Sequence, residues 1–296
     1  MKKIVLFAVM LCMLLSLFAC AGEKDTAPEI TLQEVYDAGK SLDALLGDHE
    51  SVYVQVTSNG SFLREEYLSK QYYYAFQDAE YMNMGFDYAS FTTDLGEYVC
   101  FDGLYSFYVM VTPDGMMDTK DRFDEAANNS FVSTAMLSDT FEITEADGSI
   151  IVTCTADIDD ITLMDEGIVS CVETYTLDAK TREMTAVKTV YTYEDGTVEE
   201  GVVTITRDVE CPEGMKPFLA LAEAGDMRTV TLVSNPGAEN EKTDSIQAPR
   251  GVLFGVASHW NVEETLSLYT DAACTQPLVE EPDVNSDLTL YVKWGE

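Results

Sequence analysis

The chain has 296 residues, of which 46% are apolar and 24% charged, and its formal net charge at pH 7 is −36. This length and apolar content suffice for one large or two modest domains with packed cores. Because so large a negative charge repels nucleic acid and anionic lipid head groups, we exclude a nucleic-acid partner. We interpret the acidity as a means of staying soluble, in preference to calcium storage or cation buffering.

The N-terminal stretch has the layout of a secretory signal, since two lysines precede an apolar run from Ile4 to Ala19 and a polar chain follows. Its ending, Leu-Phe-Ala-Cys at 17–20, resembles the lipobox of bacterial lipoproteins. This resemblance implies that residues 1–19 are a lipoprotein signal peptide and that Cys20 carries the lipid on the outer face of the bacterial cell membrane. Two alternatives stay open: secretion without lipid, and an uncleaved anchor, whose run is shorter than the about 20 residues a span needs.

Residues 20–29 are small, charged and proline-containing, which predicts a flexible tether. A helix should follow, because Thr31 and Glu34 have the spacing of a capping box and apolar residues recur at helical spacing as far as Leu45. Gly47 is predicted to end this helix.

From residue 51 to 112 apolar and polar residues alternate, which predicts antiparallel strands joined by short turns. The first hairpin should turn at Asn-Gly, 59–60, because both residue types tolerate the positive φ angles of a tight turn. We predict that the second hairpin turns near Ala79 and the third at Asp-Gly, 102–103.

A second helix is predicted across the middle of this sheet, before further strands continue to about residue 209. Its apolar face consists of Phe123, Ala127, Phe131 and Ala135. The predicted fold class is therefore α+β, with two helices packed on one face of a curved antiparallel sheet.

This order of elements resembles the LolA/LppX-like lipoprotein-carrier fold over residues 30–210. The resemblance rests on strand order, on tyrosine-rich strands joined by short turns, and on the passage 175–206, which contains the turn Asp-Gly at 195–196. It implies a half-open β-barrel with helices at its mouth. It also implies an apolar cavity for an acyl chain or lipoprotein anchor, and no catalysis.

The second hairpin supplies a candidate apolar ligand wall. With a turn near Ala79, one face carries Tyr72, Tyr74, Phe76, Met82, Met84 and Phe86. Aromatic side chains mixed with methionine form an adaptable apolar surface, which would suit a lipid-binding concavity. The alternative, which we prefer, is an ordinary core under the helices. The two are compatible, because the lining of a half-barrel is its core until a ligand enters.

Five cysteines follow Cys20, and their odd number and lack of CxxC spacing argue against a zinc site or a dense disulfide framework. Cys154 and Cys171 lie on strands that face each other if the hairpin turns at 162–163. A disulfide between them is then geometrically feasible. Two reduced thiols are the preferred alternative.

No catalytic, metal or cofactor site is predicted. The chain has no GxSxG, HExxH or phosphate-binding glycine loop. His49 and His259, its two histidines, have no second candidate ligand at suitable spacing, and we interpret both as surface or turn residues. The acidic loop 157–166 lacks the order of an EF-hand.

Residues 211–227 are predicted to be a connector with a short helix, and residues 228–296 a small domain. Within it, 268–275 and 287–294 resemble the Listeria–Bacteroides repeat, or internalin B-repeat, and the second stretch matches that repeat's closing strand. Ser-Leu at 267–268 departs from the repeat, which has Gly-Trp there. The resemblance implies a β-grasp-like module.

These observations predict a non-enzymatic, membrane-anchored extracellular lipoprotein that binds a lipid or other apolar ligand in a half-barrel cavity. The alternative is an adhesion or cell-wall interaction scaffold with no internal ligand, whose partner lies in the cell wall or on a host surface. An envelope hydrolase is the least favoured function. An open apolar cavity of some hundreds of Å³ would favour the first prediction, and a filled barrel the second.

Overall fold

A computed structural model of the chain describes residues 30–79, 86–93, 96–101, 103–117, 123–124, 127–128, 141–155, 167–258 and 265–295. The predicted signal peptide and tether lie outside these ranges, as does most of the second predicted helix. Within them, no helix is both long enough and apolar enough to cross a membrane.

The N-terminal helical segment consists of α1 (Leu32–Gly39) and α2 (Leu42–Leu46). The predicted capping box is confirmed, because Glu34 N donates to Thr31 Oγ1 at 3.2 Å and Thr31 N donates to Glu34 Oε2 at 2.7 Å. The prediction of a single helix is wrong. Ser41 has an extended backbone and caps the start of α2, so the chain breaks there into two helices.

The described residues contain 17 strands, a 3-10 helix (Glu213–Met215) and the α-helix α3 (Lys216–Glu223), and residues 123–124 and 127 of the second predicted helix are helical. The large sheet contains β1 (Ser51–Ser58), β2 (Ser61–Ser69), β3 (Tyr73–Gln77), β4 (Tyr88–Thr92), β5 (Glu97–Phe101), β6 (Leu104–Thr112), β7 (Gly115–Met116), β8 (Phe141–Ala146), β9 (Ser149–Thr155), β10 (Ile168–Asp178), β11 (Met184–Tyr193), β12 (Val198–Arg207) and β15 (Leu253–Ser258). The small sheet contains β13 (Met227–Ser234), β14 (Lys242–Pro249), β16 (Thr265–Tyr269) and β17 (Leu288–Gly295).

The large sheet is open, with the strand order β15-β6-β5-β4-β3-β2-β1-β12-β11-β10-β9-β8, and β7 pairs with β6. Two meanders, β1–β6 and β8–β12, join through the antiparallel pair β1–β12. Only β15 departs from this pattern among the described strands of the sheet, because it runs parallel to β6. The mainly antiparallel sheet of the predicted α+β class is therefore confirmed, while the two packing helices and the half-open barrel stay predictions.

Two of the three predicted hairpins match the structure. Asn59 and Gly60 form the first turn with φ angles of 48° and 81°, and β5 pairs with β6 across the third. The second predicted turn is wrong: β3 pairs with β4, so that Gln77 lies opposite Tyr88 and the connection spans residues 78–87. This longer connection brings aromatic residues of β4 opposite those of β3.

Both faces of the large sheet are buried. Along β1, Val52 and Val54 belong to one core and Tyr53 to the other, because successive side chains point to opposite faces. We call the face covered by α1 and α2 the helix face, and the opposite face the aromatic face.

The C-terminal segment packs on the aromatic face. Its small sheet has the order β14-β13-β17-β16, with β13 and β17 parallel. Val230 and Leu290 of this sheet share a core with Phe107 of the large sheet. On the other face of β6, Tyr108 Oη donates to the carboxylate of Glu281. The boundary at residue 228 and the β-grasp assignment stay predictions, but the segment is not a freely projecting module.

The junction between β15 and β6 yields a stability prediction. A Cβ at Gly255 would lie 2.2 Å from the Tyr108 ring, so Gly255→Ala should force that ring out of place and destabilise the protein by about 1–3 kcal/mol. Gly201→Ala is the matched control, because its added Cβ would come no closer than 4.0 Å to Thr189 O, and it should be neutral or stabilise by up to about 1 kcal/mol. Urea unfolding measures both. Equal midpoints for the two variants would contradict the described junction.

Candidate ligand-binding wall

Aromatic side chains lie in direct register across seven neighbouring strands, and we call this row the aromatic ladder. Its members, in sheet order, are Tyr53, Tyr67, Tyr74, Phe91, Tyr98, Phe107 and Phe254. The rings of Phe91 and Tyr98 are 5.8 Å apart between centroids, and those of Tyr98 and Phe107 are 4.9 Å apart. Aromatic pairs at such distances contribute about 0.5–1.5 kcal/mol each beyond the burial of their area.

Three of the six predicted wall residues lie on the aromatic face. Tyr74 is a member of the ladder and is 1% exposed, while Tyr72 and Phe76 are half-buried beside the same core. The ring of Tyr72 lies 5.3 Å from that of Phe91. The predicted alternation along β3 therefore agrees with the structure, although the face is opposite to the one that α1 and α2 cover.

The other three predicted wall residues do not complete this wall. Met82 and Met84 lie outside the described residues. Phe86 precedes β4 and packs edge-on against Phe101, 5.5 Å away. Phe101 follows Cys100, which packs on the aromatic-face core, so Phe101 and Phe86 lie on the other side of the sheet.

Phe218 of α3 packs against the centre of the aromatic ladder. Its ring centroid lies 6.1 Å from that of Tyr74, 5.8 Å from that of Phe91 and 5.1 Å from that of Tyr105. Phe218 is 1% exposed. Pro217 in the first turn of α3 suits a helix start, because its missing N–H has no partner there in any case. The wall is thus packed by the chain's own side chain.

One carboxylate binds the hydroxyl groups of two tyrosines in the aromatic ladder. Glu65 accepts hydrogen bonds from Tyr53 Oη at 2.6 Å and from Tyr74 Oη at 3.2 Å. Burial, followed by the nearby Glu65 charge, raises the pKa of both phenols, so both stay protonated donors. The connector comes close at Gly214, where a Cβ would lie 2.3 Å from Tyr74 Oη. Neither Glu65 nor Gly214 was predicted from the sequence. The tyrosine-rich strands were the only sequence feature that pointed to this site.

Buried carboxylates also lie on the helix face. Glu66 is 2% exposed and pairs with Arg64 at 3.2 Å, while Tyr73 Oη donates to it at 3.2 Å. Glu173 is 5% exposed and accepts from Tyr175 Oη at 2.6 Å. Hydrogen bonds of this kind offset the cost of burying charged groups.

The predicted facing register of Cys154 and Cys171 is wrong. Cys154 lies opposite Glu173 in β10, and Cys171 lies opposite Tyr191 in β11. Both cysteines are buried free thiols. Burial, followed by the Glu173 charge, raises the pKa of each to about 11.

Comparisons with known proteins add little to this picture. No protein-family profile matches the chain, and no curated protein matches it. Two solved structures are similar to it: a crystal structure of MucB in complex with MucA(peri), at 12% identity and a TM-score of 0.23, and a structure of the Pseudomonas aeruginosa MucA/MucB complex, at 10% and 0.21. Each match covers 62% of this chain, but only 57% and 59% of the respective chains. TM-scores this low carry no argument about fold or function.

The packing of Phe218 yields a second stability prediction. Phe218→Ala should cost about 3–5 kcal/mol, because it leaves a cavity against the aromatic ladder. Phe141→Ala is the control, since Phe141 is 43% exposed, and it should change stability by no more than about 0.5 kcal/mol. Urea unfolding compares the two. A similar small loss for both would show that the wall is not filled by Phe218.

The buried thiols yield a prediction about reactivity. At about pH 8, iodoacetamide should spare Cys154 and Cys171 in the folded protein, because each is buried and remains a protonated thiol. The partly exposed Cys274 should react and serves as the internal control. Peptide mass spectrometry measures the alkylated fraction, with full labelling expected after unfolding in urea. Recovery of a peptide in which Cys154 and Cys171 are bridged would contradict the described register.

Proposed function

We propose that this protein is a non-enzymatic, lipid-anchored interaction scaffold on the outer face of a bacterial cell membrane. The observation that carries the proposal is the packing of Phe218 against the aromatic ladder. A wall that the chain covers with its own helix and small sheet offers no surface to a lipid in this conformation. Of the two functions predicted from the sequence, the scaffold, which is expected to have a filled barrel, therefore has the better support.

One described surface hollow does not suit a lipid. It has a volume of about 300 Å³ and lies where β11 ends and β10 and β12 begin, and its lining includes the carboxylates of Glu194, Asp195 and Glu199. A lipid site of that size would be lined mainly by apolar side chains. This hollow is polar and acidic instead.

The lipid anchor is proposed from the resemblance of residues 17–20 to a lipobox. The order of elements supports a half-open barrel of the LolA/LppX-like kind, because the large sheet is open and carries its N-terminal helices on one face. The small sheet, with its first and last strands parallel at the centre, supports a β-grasp-like module. We propose that a cell-wall or host-surface component is the partner.

Binding of an apolar ligand on the helix face is the second candidate. There the described cover consists of α1 and α2, with eight and five residues, together with Phe123 and Ala127, and Leu32 and Tyr36 are only partly buried against the core. Movement of α1 and α2 would uncover apolar surface next to β1 and β11. A ligand would then contact the helix face and leave the aromatic ladder intact.

Metabolic labelling with an alkyne fatty acid tests the anchor in the full chain. We expect label and membrane association in the wild type, and neither in Cys20→Ser. Membrane association of Cys20→Ser without label would indicate an uncleaved anchor instead. Release of unlabelled wild-type protein would indicate plain secretion.

Mass spectrometry of lipids extracted from the gently purified, secreted Cys20→Ser protein distinguishes scaffold from carrier. The scaffold function predicts no stoichiometric acyl species. A bound acyl species that is lost in Tyr36→Lys but retained in Tyr72→Lys would instead establish a ligand on the helix face. Circular dichroism confirms that each variant is folded.

A further inference from the structure

His49 joins three distant parts of the chain. It follows α2, and its Nδ1 lies 2.7 Å from Asp208 Oδ2, just after β12, while its Nε2 lies 2.7 Å from Glu183 Oε1, just before β11. An ionised carboxylate only accepts hydrogen bonds, so both ring nitrogens must donate. A histidine in which both nitrogens donate is an imidazolium. The geometry is therefore that of a charged histidine between two carboxylates.

Asp208 is held firmly for this role. Its backbone lies in the left-handed region, with φ of 52°, and its Oδ1 accepts from Glu50 N at 3.0 Å. Its own N–H donates to Ser51 O at 2.9 Å. The carboxylate that faces His49 thus also fixes the entry into β1.

Other charged groups surround this site. Arg207, at the end of β12, donates to Leu45 O and to Met184 O, at 2.9 Å each, and its charge acts on both Glu183 and Asp208. Glu50 is paired with Lys70 of the β2–β3 turn at 2.7 Å. Arg182 of the β10–β11 turn acts on Glu34 of α1. Within the described residues, the carboxylates bonded to the imidazole are Glu183 and Asp208.

We propose that His49 is a pH-dependent latch that holds the N-terminal helical segment, residues 32–46, on the helix face and loosens its hold when rising pH removes the proton from the imidazolium. This segment packs on the helix face through Val35, Leu42 and Leu45, which are buried in the core there. Loosening of the latch would expose this apolar surface. The inference does not depend on the proposed scaffold function.

The direction of the pH dependence follows from the two kinds of group. The hydrogen bonds to Glu183 and then Asp208 raise the pKa of His49, so its contribution is complete below the ordinary value of about 6.5 and is lost as the pH rises through the raised value. The bond to His49 lowers the pKa of both carboxylates, so their contribution is lost as the pH falls through those lowered values. The latch is closed between these limits.

Two measurements on the full secreted chain test the latch together. Proton NMR titration gives the pKa of His49, which His259→Gln assigns by removing the other histidine resonance. Hydrogen exchange, expressed as protection factors so that the intrinsic effect of pH is removed, reports on the amides of residues 32–46 between about pH 5 and 9. The protection factors of residues 32–46 should fall by up to about tenfold for each unit by which the measured pKa of His49 exceeds 6.5. Amides of β13 serve as the reference.

Variants separate the latch from general packing. His49→Gln cannot carry the charge, so at about pH 5 its residues 32–46 should already exchange as those of the wild type do at high pH. His259→Gln should keep the wild-type profile. Should His49→Gln fold poorly, Asp208→Asn provides the second test, because asparagine tolerates the left-handed backbone and the substitution should lower the pKa of His49.

Two outcomes in the wild type, and one in a variant, would overturn the proposal. One is a pKa of His49 at or below 6.5, and the other is a protection of residues 32–46 that does not change across the titration of His49. Wild-type protection at about pH 5 in His49→Gln would overturn it as well.

Discussion

The direct register of seven aromatic side chains constrains the rest of this structure. Such a row buries its area only if something covers it along its whole length, because each ring would otherwise expose its outer face to water. α3 and the small sheet provide that cover, and β15 extends the row by one strand with Phe254. β15 also pairs with β6, so that the edge of the large sheet passes from the nine-residue β6 to the six-residue β15, and a short edge strand is less prone to aggregation. One constraint thus explains both the docking of the C-terminal segment and its parallel strand.

Burial of both faces creates a second requirement, which the neighbours Glu65 and Glu66 illustrate. Being adjacent on β2, they point to opposite faces, and each is bonded to tyrosine hydroxyls on its own side. A carboxylate in such surroundings destabilises the fold unless it is hydrogen-bonded. The tyrosine hydroxyls supply these hydrogen bonds, so β2 can carry two adjacent glutamates between two apolar cores. The abundance of tyrosine over phenylalanine at these positions has this physical reason.

Local chemistry was predictable from the sequence, and non-local register was not. The capping box at Thr31 and the turn at Asn59-Gly60 depend on neighbouring residues alone, and both predictions are confirmed. The partner of β3 depends on which strand continues the aromatic ladder, so the turn predicted near Ala79 was wrong. His49 was interpreted as a surface residue because its partners are 134 and 159 residues away in the chain. The apolar face of β3 was predicted from its alternation, but nothing in the sequence of β3 indicates that Phe218 packs against this face.

A binding partner can contact only the surface that intramolecular packing leaves exposed. The aromatic face is used by the C-terminal segment and the helix face by α1 and α2, while the chain as a whole carries a net charge of −36. A partner that approaches the closed protein therefore meets the field of this negative charge, which weakens beyond about 8 Å at physiological salt. A partner that binds either apolar core must first displace its cover. On the helix face, the proposed latch at His49 is one of the attachments of α1 and α2, so a rise in pH would favour displacement there.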